Sequence, residues 1–184
     1  MGGEEPGAQG QRTAARRALL LLGAGLVVVV DLAAKAWAQR ALTSAGVELG
    51  PVDLRLGYNS GVAFSVAAGA PAGAVVAVTG LITAGVAVLA WRVADRGSRL
   101  RRAGVAGVLG GAVANLVDRA ADGRVTDYLH TGWWPTFNLA DTAIVTGAGL
   151  FVLAELMSGR EAPPGSPEPQ APPPVHPAVE ERGR

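Results

Sequence analysis

Apolar and polar positions alternate along this chain in long blocks. One apolar run extends from about Ala18 to Ala38, a second from about Ala70 to Ala90, and a last one from about Phe137 to Met157. Another starts near Ala103 and is uninterrupted only to Ala114, where Asn115 follows. At about 1.5 Å rise per residue, ~20 helical residues cross the ~30 Å hydrocarbon layer of a bilayer. The pattern predicts an α-helical membrane protein with four transmembrane helices. Between the first two runs, Val47-Glu48-Leu49 and Val52-Asp53-Leu54-Arg55-Leu56 alternate around Gly50-Pro51. Alternation broken by turn residues predicts short strands in an external loop. The segment Tyr58 to Ser65 follows, where small residues and Gly61 let the backbone approach a ligand closely. Gly104, Gly107, Gly110 and Gly111 in the third run permit close helix packing.

The ends are polar. Residues 1–17 read as a disordered cytoplasmic head, 18–158 as the membrane domain, and 159–184 as a Pro-rich disordered cytoplasmic tail. The head, with Arg12, Arg16 and Arg17 before an apolar run, also fits the start of a signal peptide. The three further apolar segments favour a retained anchor.

Composition supports the membrane reading: 17% of residues are charged and 49% are hydrophobic, against about 25% charged in a typical soluble domain. The absence of cysteine excludes disulfides, thiol catalysis and Cys-ligated zinc. Net charge is +1 with no basic stripe, so a nucleic-acid partner is not expected. Arginines at 12, 16, 17, 92, 96, 99, 101, 102 and 160 flank the head, the middle loop and the tail, whereas the other two loops carry only those at 40, 55, 119 and 124. The positive-inside rule therefore puts both termini in the cytoplasm. Asp118, Asp127 and Asp141 then lie near the external membrane surface.

The candidate chemistry concentrates in Asn115 to Asp141, NLVDRAADGRVTDYLHTGWWPTFNLAD. Ionisable groups at the edge of a bilayer are costly unless paired or used. Asp127 and Asp141 are the sharpest pair. Two carboxylates held close share one proton, so one can take a proton from water while the other donates to a carbonyl oxygen. The plain alternative is that Asp141 caps the last helix and Asp127 is a solvated loop residue. Asn59, Asn115 and Asn138 can orient a peptide or an oxyanion, or can simply cap and turn. Asp118-Arg119 reads as a structural pair. Asp31 and Lys35, spaced i, i+4, share a helix face and can pair inside the membrane. His130 beside Trp133-Trp134 reads as part of an interfacial belt. No metal-ligand spacing is present, no metal or other cofactor is expected, and no Gly-x-Ser-x-Gly occurs. A proton-coupled carrier or a helical scaffold remain alternatives on these residues alone.

Five elements carry a resemblance: Asp31-Leu-Ala-Ala-Lys35, Asn59-Ser-Gly-Val-Ala-Phe64, Gly110-Gly-Ala-Val-Ala-Asn-Leu-Val-Asp-Arg119, Val125-Thr-Asp-Tyr128 and Phe137-Asn-Leu-Ala-Asp141. Over about residues 18 to 157 the chain resembles the bacterial lipoprotein signal peptidases, signal peptidase II. The resemblance implies an aspartic endopeptidase of the plasma membrane that cuts prolipoproteins just before a diacylglyceryl-modified cysteine. It implies Asp127 and Asp141 as the catalytic pair. Asn59, Asn115, Arg119 and Asn138 are implied as substrate contacts, with Asp118, Asp31, Lys35, Gly61 and Ala140 supporting the site. Diacylglyceryl-modified prolipoproteins, membrane lipids and the inhibitor globomycin are the implied partners. Four transmembrane helices with a small external β-sheet and a short external helix are the implied fold. Ala114 departs from the Gly that usually precedes the family Asn.

Overall fold

The structure is a computed structural model that describes residues 6–42, 46–60, 71–95 and 97–158. Four long helices occur among them: α1 (Pro6–Ala41), α2 (Ala72–Ala94), α3 (Arg99–Asp122) and α4 (Leu139–Ser158). Two strands, β1 (Asp53–Asn59) and β2 (Val125–His130), form one antiparallel sheet. Helices α1, α2 and α4 are long and apolar enough to cross a membrane. Leu19, Leu22, Leu26, Leu81 and Val145 stay exposed on them, as side chains that face lipid do. Helix α3 is as long but carries Arg99, Arg101 and Arg102 at one end and Asp118 and Arg119 at the other.

Helix α3 is the centre of the bundle and packs on each of the other three helices. Small residues bring the backbones together. A Cβ at Gly104 would lie 2.6 Å from the Gly147 carbonyl oxygen, and one at Gly111 would overlap the Ala140 carbonyl, both on α4. On another face, a Cβ at Gly110 would lie 2.6 Å from the Ala24 carbonyl of α1. Without a hydrophobic drive between helices in lipid, such close contact is what holds them. Where α1, α2 and α3 meet, Leu20, Ala24, Ala90, Val93, Val105 and Leu109 form one apolar cluster.

The polar head differs from expectation. It is helical from Pro6, because α1 extends well before Ala18. Arg17 pairs with Asp95 at the end of α2 and lies over the Trp91 ring, 4.2 Å from its centroid. Arg16 donates to the Asp95 carbonyl at 3.1 Å. These contacts hold the extra turns against α2. Gln9 to Arg17 also lacks Gly and Pro other than Gly10, so little opposes helix continuation.

The expected strands are partly found. The alternating residues from Asp53 onward form β1, but Val47 makes only an isolated bridge to Leu54. The partner of β1 is β2, from a segment read as a polar loop. Helix α3 stops at Gly123, whose φ of 82° suits glycine and whose N–H bonds the Arg119 carbonyl at 2.8 Å. The chain then enters β2 with Gly57 opposite Asp127 and Tyr58 opposite Thr126. Tyr128 packs with Ala38 and Leu42 of α1 and its end, so the sheet rests on that end of the bundle. The short external helix is not among the described elements. Residues 61–70, including Gly61, lie outside the described residues, as does the tail.

Candidate active site

Strand β2 delivers Asp127. Its backbone is fixed from three sides. Gly57 pairs with it in the sheet, the Asp118 carboxylate accepts from the Thr126 N–H at 2.7 Å, and Gln39 of α1 donates to the Thr126 hydroxyl at 2.8 Å. After β2 the chain folds back. Tyr128 and Leu129 donate to the Phe137 carbonyl at 3.0 and 2.8 Å, and Phe137 donates to Leu129 at 2.9 Å. Gly132, at φ 84°, takes the left-handed position in this reversal. The residue after Phe137 therefore arrives beside Asp127.

That residue is Asn138, the residue before α4 and fully buried. Its side-chain oxygen accepts from the Asp141 N–H at 2.9 Å, while Asp141 Oδ2 accepts from the Asn138 N–H at 3.3 Å. This is a reciprocal capping box at a helix N-terminus. Asn138 Nδ2 also donates to Asp127 Oδ1 at 2.7 Å. Asn138 therefore contacts both carboxylates, Asp127 through its side-chain amide and Asp141 through its backbone N–H. Asp141 does cap α4, and the residue it caps with, Asn138, is the one that also bonds Asp127.

The other oxygen of Asp141 accepts from Asn115 Nδ2 of α3 at 2.8 Å. Asn115 Oδ1 accepts in turn from Lys35 Nζ at 2.8 Å and from Asn138 Nδ2 at 3.3 Å. Lys35 is buried and pairs with Asp31 at 2.8 Å, as their spacing predicts, and with Asp118 at 3.4 Å. Asp31 reaches across to α4, accepting from the Ala140 N–H at 2.8 Å. A buried lysine held by two carboxylates and an amide has its charge met within the protein, which a low-dielectric site requires. Ala140 contributes its backbone here, and it is fully buried.

Asp118 and Arg119 do not act as one pair. Asp118 turns to Lys35 and the Thr126 amide, whereas Arg119 reaches Thr79 of α2 at 3.5 Å. The Arg119 charge remains within electrostatic reach of Asp118, Asp127 and Asp141. Asn59 sits at the end of β1 opposite Val125, two register positions from Asp127. Ala114, the departure from the family pattern, is fully buried one residue before Asn115. His130 stands apart, opposite Asp53, and Trp133 and Trp134 are exposed. No three His, Asp or Glu side chains are grouped as a metal set among the described residues.

The network contains four carboxylates (Asp31, Asp118, Asp127 and Asp141) and two cations (Lys35 and Arg119). Negative charge is in excess, so one proton is readily held. Burial of Asp127, with 4% of it exposed, pushes its carboxyl up to about 6, and the nearby Asp141 charge adds to this. The Asn138 hydrogen bond and the Lys35 charge oppose the rise. The adjacent Tyr128 phenol is raised to about 12, mainly by burial and then by the Asp31 charge, and stays protonated.

Sequence reasoning missed β2, although Val-Thr-Asp-Tyr-Leu-His is rich in β-branched and aromatic residues. It also missed Gln39, Thr79 and Thr126, single polar residues whose partners are 40 or more positions away.

Fold and site together define a membrane-embedded helical protein with a buried polar network around Asn138, Asp127 and Asp141 at one end of its bundle. Residues 23–157 match the family described as signal peptidase (SPase) II, and the chain belongs to that family. It is therefore a peptidase, a hydrolase. It is 38% identical over 160 residues to a lipoprotein signal peptidase of Rhodococcus jostii, covering 77% of this chain and 74% of that one. It is 40% identical over 154 residues to one from Syntrophotalea carbinolica, covering 77% and 92%. Its fold matches that of a bacterial membrane enzyme solved by the in meso method at 2.3 Å resolution, with a TM-score of 0.69, 20% identity, and coverage of 82% of this chain and 95% of that one.

Proposed function

We propose that this chain removes signal peptides from diacylglyceryl-modified prolipoproteins, cutting before the lipid-modified cysteine with Asp127 and Asp141 as the catalytic pair. The observation that carries this reading is the bridge of Asn138 between the two carboxylates, 2.7 Å to one and capping the other. Family membership supports the substrate class.

Asp127, raised to about 6 by burial and by its neighbour's charge, is the proton holder. Asp141, with Asn115 and the Asn138 N–H donating to it, is the base. Asp141 takes a proton from water as the water oxygen attacks the scissile carbonyl carbon. Asp127 donates its proton to the carbonyl oxygen. As the tetrahedral intermediate collapses, Asp141 passes the proton it took to the amide nitrogen, Asp127 recovers a proton from the hydroxyl as the carbonyl re-forms, the C–N bond breaks, and the cysteine leaves with a free amine. The net change is addition of one water across the bond. Asn59 and Arg119 hold the substrate backbone and offset developing negative charge.

Helix α3 is the fourth crossing in this reading. Its polar residues cluster at its two ends, and Arg101 to Asp118 spans roughly 26 Å at 1.5 Å per residue. The arginine end is cytoplasmic by the positive-inside rule, and the dyad is at the external surface of the plasma membrane. The signal helix lies among the enzyme's helices, and the diacylglyceryl chains stay in the outer leaflet. Globomycin competes for the same groove.

The test is mass analysis of products from a synthetic diacylglyceryl prolipoprotein peptide incubated with the purified protein. A product beginning at the modified cysteine is expected, and globomycin should suppress it. Cleavage elsewhere, or equal cleavage of the unlipidated peptide, would refute the substrate assignment.

A further inference from the structure

A second site lies at the other end of the bundle, between α1 and α3. An open groove of about 580 Å³ runs along Leu19, Gly23 and Val27 on α1 and Ala106 on α3, with Arg99 and Arg102 at its mouth. Below the arginines its walls are apolar, and at Gly23 the two helices come close, so that a Cβ there would touch Ala106 Cβ at 3.6 Å.

The arginines at this end divide into two groups. Arg17 is met by Asp95, and Arg101 by Glu155 at 2.8 Å. Arg99 and Arg102 have no carboxylate partner among the described residues, and the Arg102 guanidinium donates to the Gly97 carbonyl at 2.6 Å. Both stand in the first turn of α3, where no acidic residue is present. Cations at a helix N-terminus oppose the helix dipole. The groove mouth therefore concentrates positive charge that the protein leaves unanswered, directly above an acyl-sized apolar channel.

We propose that this groove binds one anionic phospholipid of the membrane leaflet on the arginine side. The phosphodiester headgroup takes Arg99 and Arg102, and an acyl chain lies along Leu19, Gly23 and Val27. Charge complementarity selects the anionic headgroup, and basic pockets between membrane helices bind such lipids elsewhere. The inference rests on the helices spanning a bilayer. It does not depend on the cleavage assignment, because the groove and the dyad are at opposite ends of α3.

Native mass spectrometry of the detergent-purified protein, titrated with phosphatidylglycerol or phosphatidylcholine, tests it. The wild type should retain phosphatidylglycerol over phosphatidylcholine by about 30-fold, the factor two membrane-surface arginines supply together. The double variant Arg99→Gln/Arg102→Gln should lose that preference. Gly23→Leu fills the channel and improves helix propensity, so it should fold yet bind both lipids more weakly. Equal retention of the two lipids by the wild type overturns the proposal, as does an unchanged preference in the double variant. Undiminished binding by Gly23→Leu overturns the acyl seat. Peptidase activity in detergent is a separate readout, and its loss or retention leaves these outcomes distinct.

Discussion

At Asp127 a carboxyl group is buried beside another carboxylate and still accepts a hydrogen bond from Asn138. Its raised value has two consequences. The first concerns stability. A carboxyl that protonates more easily folded than unfolded stabilises the fold fully below about pH 4, and loses that contribution as pH rises through about 6. Asp127→Asn removes the penalty, so the variant should melt higher than the wild type at pH 8, with the gap closing towards pH 4. Thermal melts in detergent across that range check this, and a variant that melts lower at pH 8 contradicts it. The second concerns rate. If Asp127 holds the catalytic proton, kcat/KM should fall tenfold per pH unit on the alkaline side of about 6 in the free enzyme. A flat profile from pH 6 to 8 would contradict that role. Asn138→Ala should be costly, because it removes the bond to the Asp127 carboxylate and the acceptor of the Asp141 N–H, leaving only the backbone bond to Asp141 Oδ2. Expected losses are about 10²-fold or more in kcat, the scale of removing one organising donor.

At the scale of elements, the helix α3–α4 seam sets where Asp141 stands. A methyl at Gly111 would overlap the Ala140 carbonyl in the first turn of α4. Gly111→Ala should therefore lower stability by about 1–3 kcal/mol, the usual cost of overpacking, and reduce turnover with it. Gly149→Ala, on the same helix pair but with nothing within 4 Å of the added carbon, should be neutral or slightly stabilising. Melting temperatures of the two variants side by side decide it. Elements were unevenly legible in the sequence. The apolar runs marked the helices, because long, nearly uncharged stretches have few other structures in lipid. The ion pair of Asp31 with Lys35 followed from i, i+4 spacing alone. Strand β2 was not read, because six residues between polar turns carry little periodic signal, and its pairing partner β1 lies some 70 positions earlier. The start of α1 was misplaced because the Arg17–Asp95 pair that holds the extra turns is a tertiary contact.

Across the whole molecule, charge is sorted to the two ends of an apolar bundle. One end carries most of the arginines, and the other carries the buried Asp31–Lys35–Asn115–Asp141 chain, which Asn138 links to Asp127. The family motifs named the members of that chain, but not that Asn138 joins the carboxylates, which depends on the fold-back from Leu129 to Phe137. Residues 162–184 lie outside the described residues. Their removal should leave cleavage unchanged, and a truncated protein that inserts but does not cut would assign the tail a part in the reaction. The central claim is that Asp127 and Asp141 act as one catalytic pair, and single-turnover cleavage of a diacylglyceryl prolipoprotein in vesicles tests it most directly. Wild type, Asp127→Asn, Asp141→Asn and the double variant would be compared at equal folded amounts. A pair predicts that each single variant is as inactive as the double one. Appreciable turnover by either single variant would contradict it.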